Sequence, residues 1–111
     1  MTQLLSGSTL NGEDVVNAAG EDLGHIEDVM IHPDNGQVEY AVLSFGGVLG
    51  LGDKLFAVPF SRLAVDRENK KMVLNVEKER LKDAPGFDKN DWPNFADTTF
   101  RTEIDQYYVV Q

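Results

Sequence analysis

The stretch Gly24-His25-Ile26-Glu27-Asp28-Val29-Met30-Ile31-His32-Pro33-Asp34-Asn35-Gly36-Gln37-Val38-Glu39-Tyr40-Ala41-Val42-Leu43-Ser44-Phe45 reads as two strands joined by a tight turn. Proline presets φ early in the turn, and Asn-Gly tolerates the positive φ that a short hairpin demands. On the first strand Ile26, Val29 and Ile31 miss a strict period of two, and one extra residue at Glu27-Asp28 restores it. A β-bulge is therefore predicted there.

Outward from this hairpin, β-branched and aromatic residues recur in short runs separated by Gly, Pro, Asn and Asp. The pattern predicts about six strands, near Asp14–Asn17, Gly24–His32, Gln37–Phe45, Lys54–Pro59, Leu63–Val65 and Lys71–Val76. Asp66-Arg67-Glu68-Asn69-Lys70 would turn a second hairpin that repeats the first in outline. The third and fourth strands carry apolar residues on both faces, so a small closed barrel with an outer cover fits better than a one-sided sheet. Bulges and glycines would supply the sharp bending that closure in so few residues requires.

After Val76 the pattern changes. Glu77–Asp83 reads as a charged helical turn stopped by Pro85-Gly86. Asp97 is placed to cap a helix over Thr98–Tyr108 whose apolar stripe is Phe100, Ile104 and Tyr107 or Tyr108. Trp92, Phe95 and this stripe are too apolar to leave in water, so the tail packs on its own barrel or on a neighbouring copy. The expected organisation is an extension at 1–10, the barrel at 11–84 and the aromatic tail at 85–111.

Charge narrows the function. Ten Lys and Arg stand against 19 Asp and Glu, a net charge of −9, and no basic residue precedes Lys54. Nucleic acid and anionic membranes are disfavoured partners, because both are held by Lys and Arg. A basic protein or divalent cations suit the acidic half better, and the carboxylates Glu21, Asp22, Glu27, Asp28 and Asp34 are the candidate acidic patch; the excess charge also serves solubility. The longest apolar stretches are too short or too interrupted to span a bilayer, and the first residues lack a basic and then apolar leader, so a cytoplasmic protein is expected.

Chemistry is hard to find. The absence of Cys removes thiol nucleophiles and Cys-based metal sites. His25 and His32 would sit roughly 23 Å apart on one strand, too far to share a metal. The segment from Gly46 to Lys54 has glycines at Walker spacing, but Asp53 stands where the phosphate lysine belongs. Its Val48, Leu49 and Leu51 either plug one end of the barrel or form an exposed docking patch. No nucleophile elbow surrounds Ser44 or Ser61, and no catalytic residue, cofactor or metal site is expected.

Four segments together, Gly24–Ile31, the Pro33–Gly36 turn, Tyr40–Gly47 and Lys54–Phe60, resemble the PRC-barrel domain, the barrel shared by the photosynthetic reaction-centre H subunit and a ribosome maturation factor. The resemblance covers about residues 11–84, and the tail around Pro85-Gly86-Phe87 and Trp92-Pro93 is similar to that of free-standing bacterial members. It implies a mostly β, strongly bent barrel that serves as an assembly or docking module, with no catalytic residues to carry over. No membrane helix or separate N-terminal domain accompanies it, so neither specific role is expected to transfer. The expectation is a non-enzymatic module that binds another protein or itself as a homodimer or higher oligomer. The candidate surface is Val48, Leu49, Leu51, Trp92, Phe95, Phe100, Ile104, Tyr107 and Tyr108. The alternatives are a small-ligand or cation sensor built on the acidic patch and a metal-dependent enzyme using His25 or His32.

Overall fold

In the computed structural model, residues 6–45, 54–66, 68–69 and 71–109 are described. A short helix α1 (Gly7–Leu10), its end satisfied by the Thr9 N–H donating to Ser6 Oγ at 3.0 Å, leads into the sheet. The strands are β1 (Asp14–Val16), β2 (Asp22–His32), β3 (Gln37–Phe45), β4 (Lys54–Pro59), β5 (Leu63–Asp66), β6 (Lys71–Leu74) and β7 (Gly86–Phe87). A 3₁₀ turn (Phe60–Arg62) joins β4 to β5, and the helices α2 (Lys78–Lys82) and α3 (Thr98–Val109) flank β7 in the chain.

The fold is a mostly β, strongly bent small barrel with a short helical turn and a helical tail, as the sequence predicts. Two details differ. There is a seventh strand, because Gly86-Phe87 pairs with Phe56-Leu55 of β4. And the sheet does not close: its order is β5-β6-β1-β2-β3-β4-β7, with no ladder between β5 and β7 among the described residues. β7 offers only two residues to any further partner, too little to seal a barrel seam.

Bending comes where the sequence places it. The β2–β3 ladder pairs Ile26 with Leu43 and then Asp28 with Val42, leaving Glu27 as the extra residue of a bulge. A second irregularity follows between Met30 and Ile31. At the hairpin tip Gly36 has φ +73°, and its N–H donates to the His32 carbonyl at 2.8 Å, as the Asn-Gly turn demands. β1 then pairs antiparallel with β2 and parallel with β6 (Val15 with Met72, Val16 with Val73), tying the second hairpin onto the first meander.

Both faces of β4 are covered, with Leu55, Phe56, Ala57 and Val58 all buried. One side chain set joins Val15, Leu23, Ile26, Leu43, Met72 and Leu74, and the same core takes in Leu81 of α2 and Ile104 and Tyr108 of α3. Each such buried aliphatic side chain contributes about 1.5–3 kcal/mol. Asn17 and Ser44 are the buried polar residues among those described, and Asn17 is fully satisfied. Its Nδ2 donates to Glu21 Oε1 (2.8 Å) and to the Val76 carbonyl (3.2 Å), and its Oδ1 accepts the N–H groups of Ala19 and Glu21. This one side chain fixes the β1–β2 turn against Val76, just past the end of β6.

Candidate functional site

The surface carries its apolar exposure at the margins of the sheet. Ile31 (57% exposed) lies on the part of β2 that runs beyond β1, and Val65 (46%) lies on β5, the edge strand on one side. Trp92 (37%) stacks edge-on against Phe87 of β7, the edge strand on the other side, with ring centroids 5.3 Å apart. From Trp92 the aromatic tail runs inward. Phe95 meets Phe87 (6.0 Å), Phe100 (5.4 Å) and Tyr40 (5.9 Å), the first two edge-to-face.

Helix α3 is placed by its cap and by two polar junctions. Asp97 Oδ1 accepts the Thr99 N–H at 2.8 Å, the cap expected from the sequence. Phe100 and Tyr107 are half-buried on the core, while Ile104 and Tyr108 are wholly buried under this chain's own sheet, so within the tail the accessible part of the candidate surface centres on Trp92. At the first junction the Tyr40 hydroxyl donates to Asp105 Oδ1 (3.3 Å), and Arg101 pairs with Glu39 (3.5 Å). At the second, Arg80 Nη2 donates to the Tyr107 carbonyl (2.8 Å), the Tyr107 hydroxyl donates back to the Arg80 carbonyl, and the guanidinium lies 4.3 Å from the Tyr107 ring centre. This clasp joins α2 to α3, and neither junction was legible in strand or helix patterns. The i, i+4 spacing of Arg101 and Asp105 was the only local hint.

Burial pushes the Tyr40 hydroxyl above its ordinary value, reinforced by the Asp105 carboxylate, and burial pushes Tyr108 up further. Unfolded tyrosines ionise near pH 10 while these two stay protonated in the fold. Their contribution to stability is therefore full below about pH 10 and is lost as pH rises through the folded values. Thermal melts between pH 8 and 11 should show this loss setting in near pH 10, with part of it absent in Tyr108→Phe. A flat profile to pH 11 would contradict the assignment.

The family model described as PRC-barrel domain matches residues 3–81. The chain belongs to the PRC-barrel family. No curated protein matches it. The match ends at Leu81, so β7, the aromatic run and α3 lie beyond the matched residues. Among the described residues no helix is long and apolar enough to cross a membrane.

The carboxylates of this PRC-barrel's acidic half are spread along its turns and β2. Glu21 accepts from Asn17, Asp22 Oδ1 accepts the Gly24 N–H (2.9 Å), and Asp28 Oδ1 accepts the Val29 N–H (2.8 Å). Glu27 lies 3.5 Å from His25, and Asp34 is exposed at the hairpin tip, where its N–H meets His32 Nδ1 at 3.3 Å. Among the described residues no three His, Asp or Glu side chains converge as a metal site would need. Val48, Leu49 and Leu51 lie outside the described residues.

Proposed function

We propose that this PRC-barrel protein is a non-enzymatic docking module of the cytoplasm that binds another protein or a second copy of itself through the margins of its sheet. The observation that carries the reading is the placement of Ile31, Val65 and Trp92. Each is a large exposed apolar side chain on, or stacked against, a strand whose edge is unpaired among the described residues. Soluble surfaces tolerate scattered apolar residues, but unpaired strand edges bearing them are sites where another chain adds on. The net charge of −9 and the absence of Lys and Arg before residue 54 weigh against nucleic acid as that partner.

The test is site-specific photo-crosslinking in the native host, with a benzophenone amino acid replacing Ile31, Val65 or Trp92 in turn. A stoichiometric protein adduct at one or more of the three positions is expected, to a second protein or to another copy. The reading fails if all three variants fold and none gives an adduct above that of a probe at exposed Asn90.

A further inference from the structure

The three margins are unequal, and β2 is the most available. β1 is three residues long and covers only the start of β2, pairing Asp14 with His25 and Val16 with Asp22. One further step follows, in which the Gly12 N–H donates to the Ile26 carbonyl (2.7 Å) and the Ile26 N–H to the Glu13 carbonyl (3.0 Å). From Glu27 to His32 the edge of β2 facing away from β3 has no main-chain partner among the described residues, and the Val29 N–H is met there only by the neighbouring Asp28 carboxylate (2.8 Å). These six residues span about 20 Å. Their other edge is laddered to β3 as far as the His32–Gln37 pair, and Val29 and Met30 pack on the core. The edge is thus held extended and in place. By contrast β5 offers four residues, and β7 offers two, with Trp92 stacked on its Phe87.

Charge says what can pair there. The β2–β3 hairpin from Asp22 to Phe45 carries Asp22, Glu27, Asp28, Asp34 and Glu39 with no Lys or Arg. Among the described residues only Glu39 has an arginine partner, Arg101 of α3. Glu27, Asp28 and Ile31 are exposed on the free stretch itself. Bulges and charges guard an edge against like edges: two copies joined β2 to β2 would set carboxylates against carboxylates. The same charges favour a strand of opposite sign, which gains both the main-chain hydrogen bonds and the ion pairs.

We propose that the free edge of β2, Glu27–His32, accepts an extended segment of another protein with Lys or Arg at alternate positions and apolar residues between, one of which seats on Ile31. The segment adds a strand to the sheet. This inference rests on the docking reading and specifies its edge, its geometry and the chemistry of its partner.

The probe is a fluorescein-labelled eight-residue peptide of alternating lysine and valine, titrated by anisotropy at low salt against the full chain. Saturable binding is expected, with slowed amide exchange confined to Glu27–His32. A peptide of the same sequence N-methylated on alternate residues, so that its charge is intact but one edge cannot hydrogen-bond, should bind about tenfold or more weakly. Ile31→Ser, which removes the apolar seat without adding charge, should weaken binding to a similar degree, and Val65→Ser should leave it unchanged. Several results overturn the inference: no saturable binding, equal binding of the N-methylated peptide, exchange protection elsewhere, or loss of binding in Val65→Ser. Photo-crosslinks from position 65 or 92 with none from 31 would also overturn it while leaving the docking reading in place.

Discussion

Replacing Gly24 by alanine is expected to destabilise the fold by about 3 kcal/mol or more. Gly24 has φ +103°, and a Cβ built on it would lie 2.0 Å from the Ser44 carbonyl oxygen and 3.2 Å from Phe45 Cα. Both neighbours are backbone of β3, and Ser44 is itself paired with His25 of β2 and Leu55 of β4. No side chain can swing aside to make room. The strand must move, and the ladders on both its sides must move with it. Gly36 is the control: its φ is +73°, but a Cβ there meets nothing within 4 Å. Gly36→Ala should therefore cost only the left-handed backbone penalty, about 1 kcal/mol. Urea unfolding of the three proteins gives the comparison. Equal midpoints for the two variants would show that the close approach at Gly24 is not what holds the bend.

The second large effect is expected at Tyr108, where one substitution should destabilise the fold and a second, milder one should not. The ring is wholly buried, and its hydroxyl has no hydrogen-bond partner among the described residues. Tyr108→Ala removes the largest fully buried side chain of the core and should cost about 3–5 kcal/mol. Tyr108→Phe keeps the ring and removes only an unsatisfied polar group, whose burial costs about 1–3 kcal/mol. The phenylalanine variant should thus be as stable as the parent or more so. Denaturant midpoints for the two variants decide it. A phenylalanine variant destabilised as far as the alanine one would mean that the hydroxyl is held by a partner, and that the account of this corner is wrong.

Much of this fold was legible in the sequence because the decisive signals are local. The extra residue at Glu27, the Pro33–Gly36 turn and the Asp97 cap are each set within a few positions, and each sits where the pattern puts it. Strand bounds also hold closely, β3 and β4 to the residue, while β6 stops at Leu74 rather than Val76. What local patterns lack is pairing at a distance. Gly86-Phe87 is a strand only because β4 presents its edge there, and the parallel match of Val15 with Met72 has no mark in either segment. Closure was expected from apolar residues on both faces of β3 and β4. The outer cover expected with it is there, since α3 lies against β4, but the sheet itself stays open.

The candidate surface divides along the same line. Composition finds the carboxylates and the aromatic run, since both are properties of residue type. It cannot tell an exposed tail ring from a buried one, because what leaves Trp92 partly open and closes Tyr108 over is the surrounding structure. Nor can it find the free edge of β2, which exists because β1 is short, a relation between two lengths rather than a feature of either.

The parallel pairing of β1 with β6 also orders events in time. β2, β3 and β4 are consecutive in the chain, so each pairing closes a short loop, and the meander can assemble as synthesis proceeds. β1 gains its second neighbour only once Met72 and Val73 have been made, and that pairing closes the longest loop in the sheet. Contacts of such separation come late, because their closure entropy is lost before they return any stabilisation. Until then Val15 has an open flank, and the nascent chain carries a second exposed strand edge that the finished protein conceals.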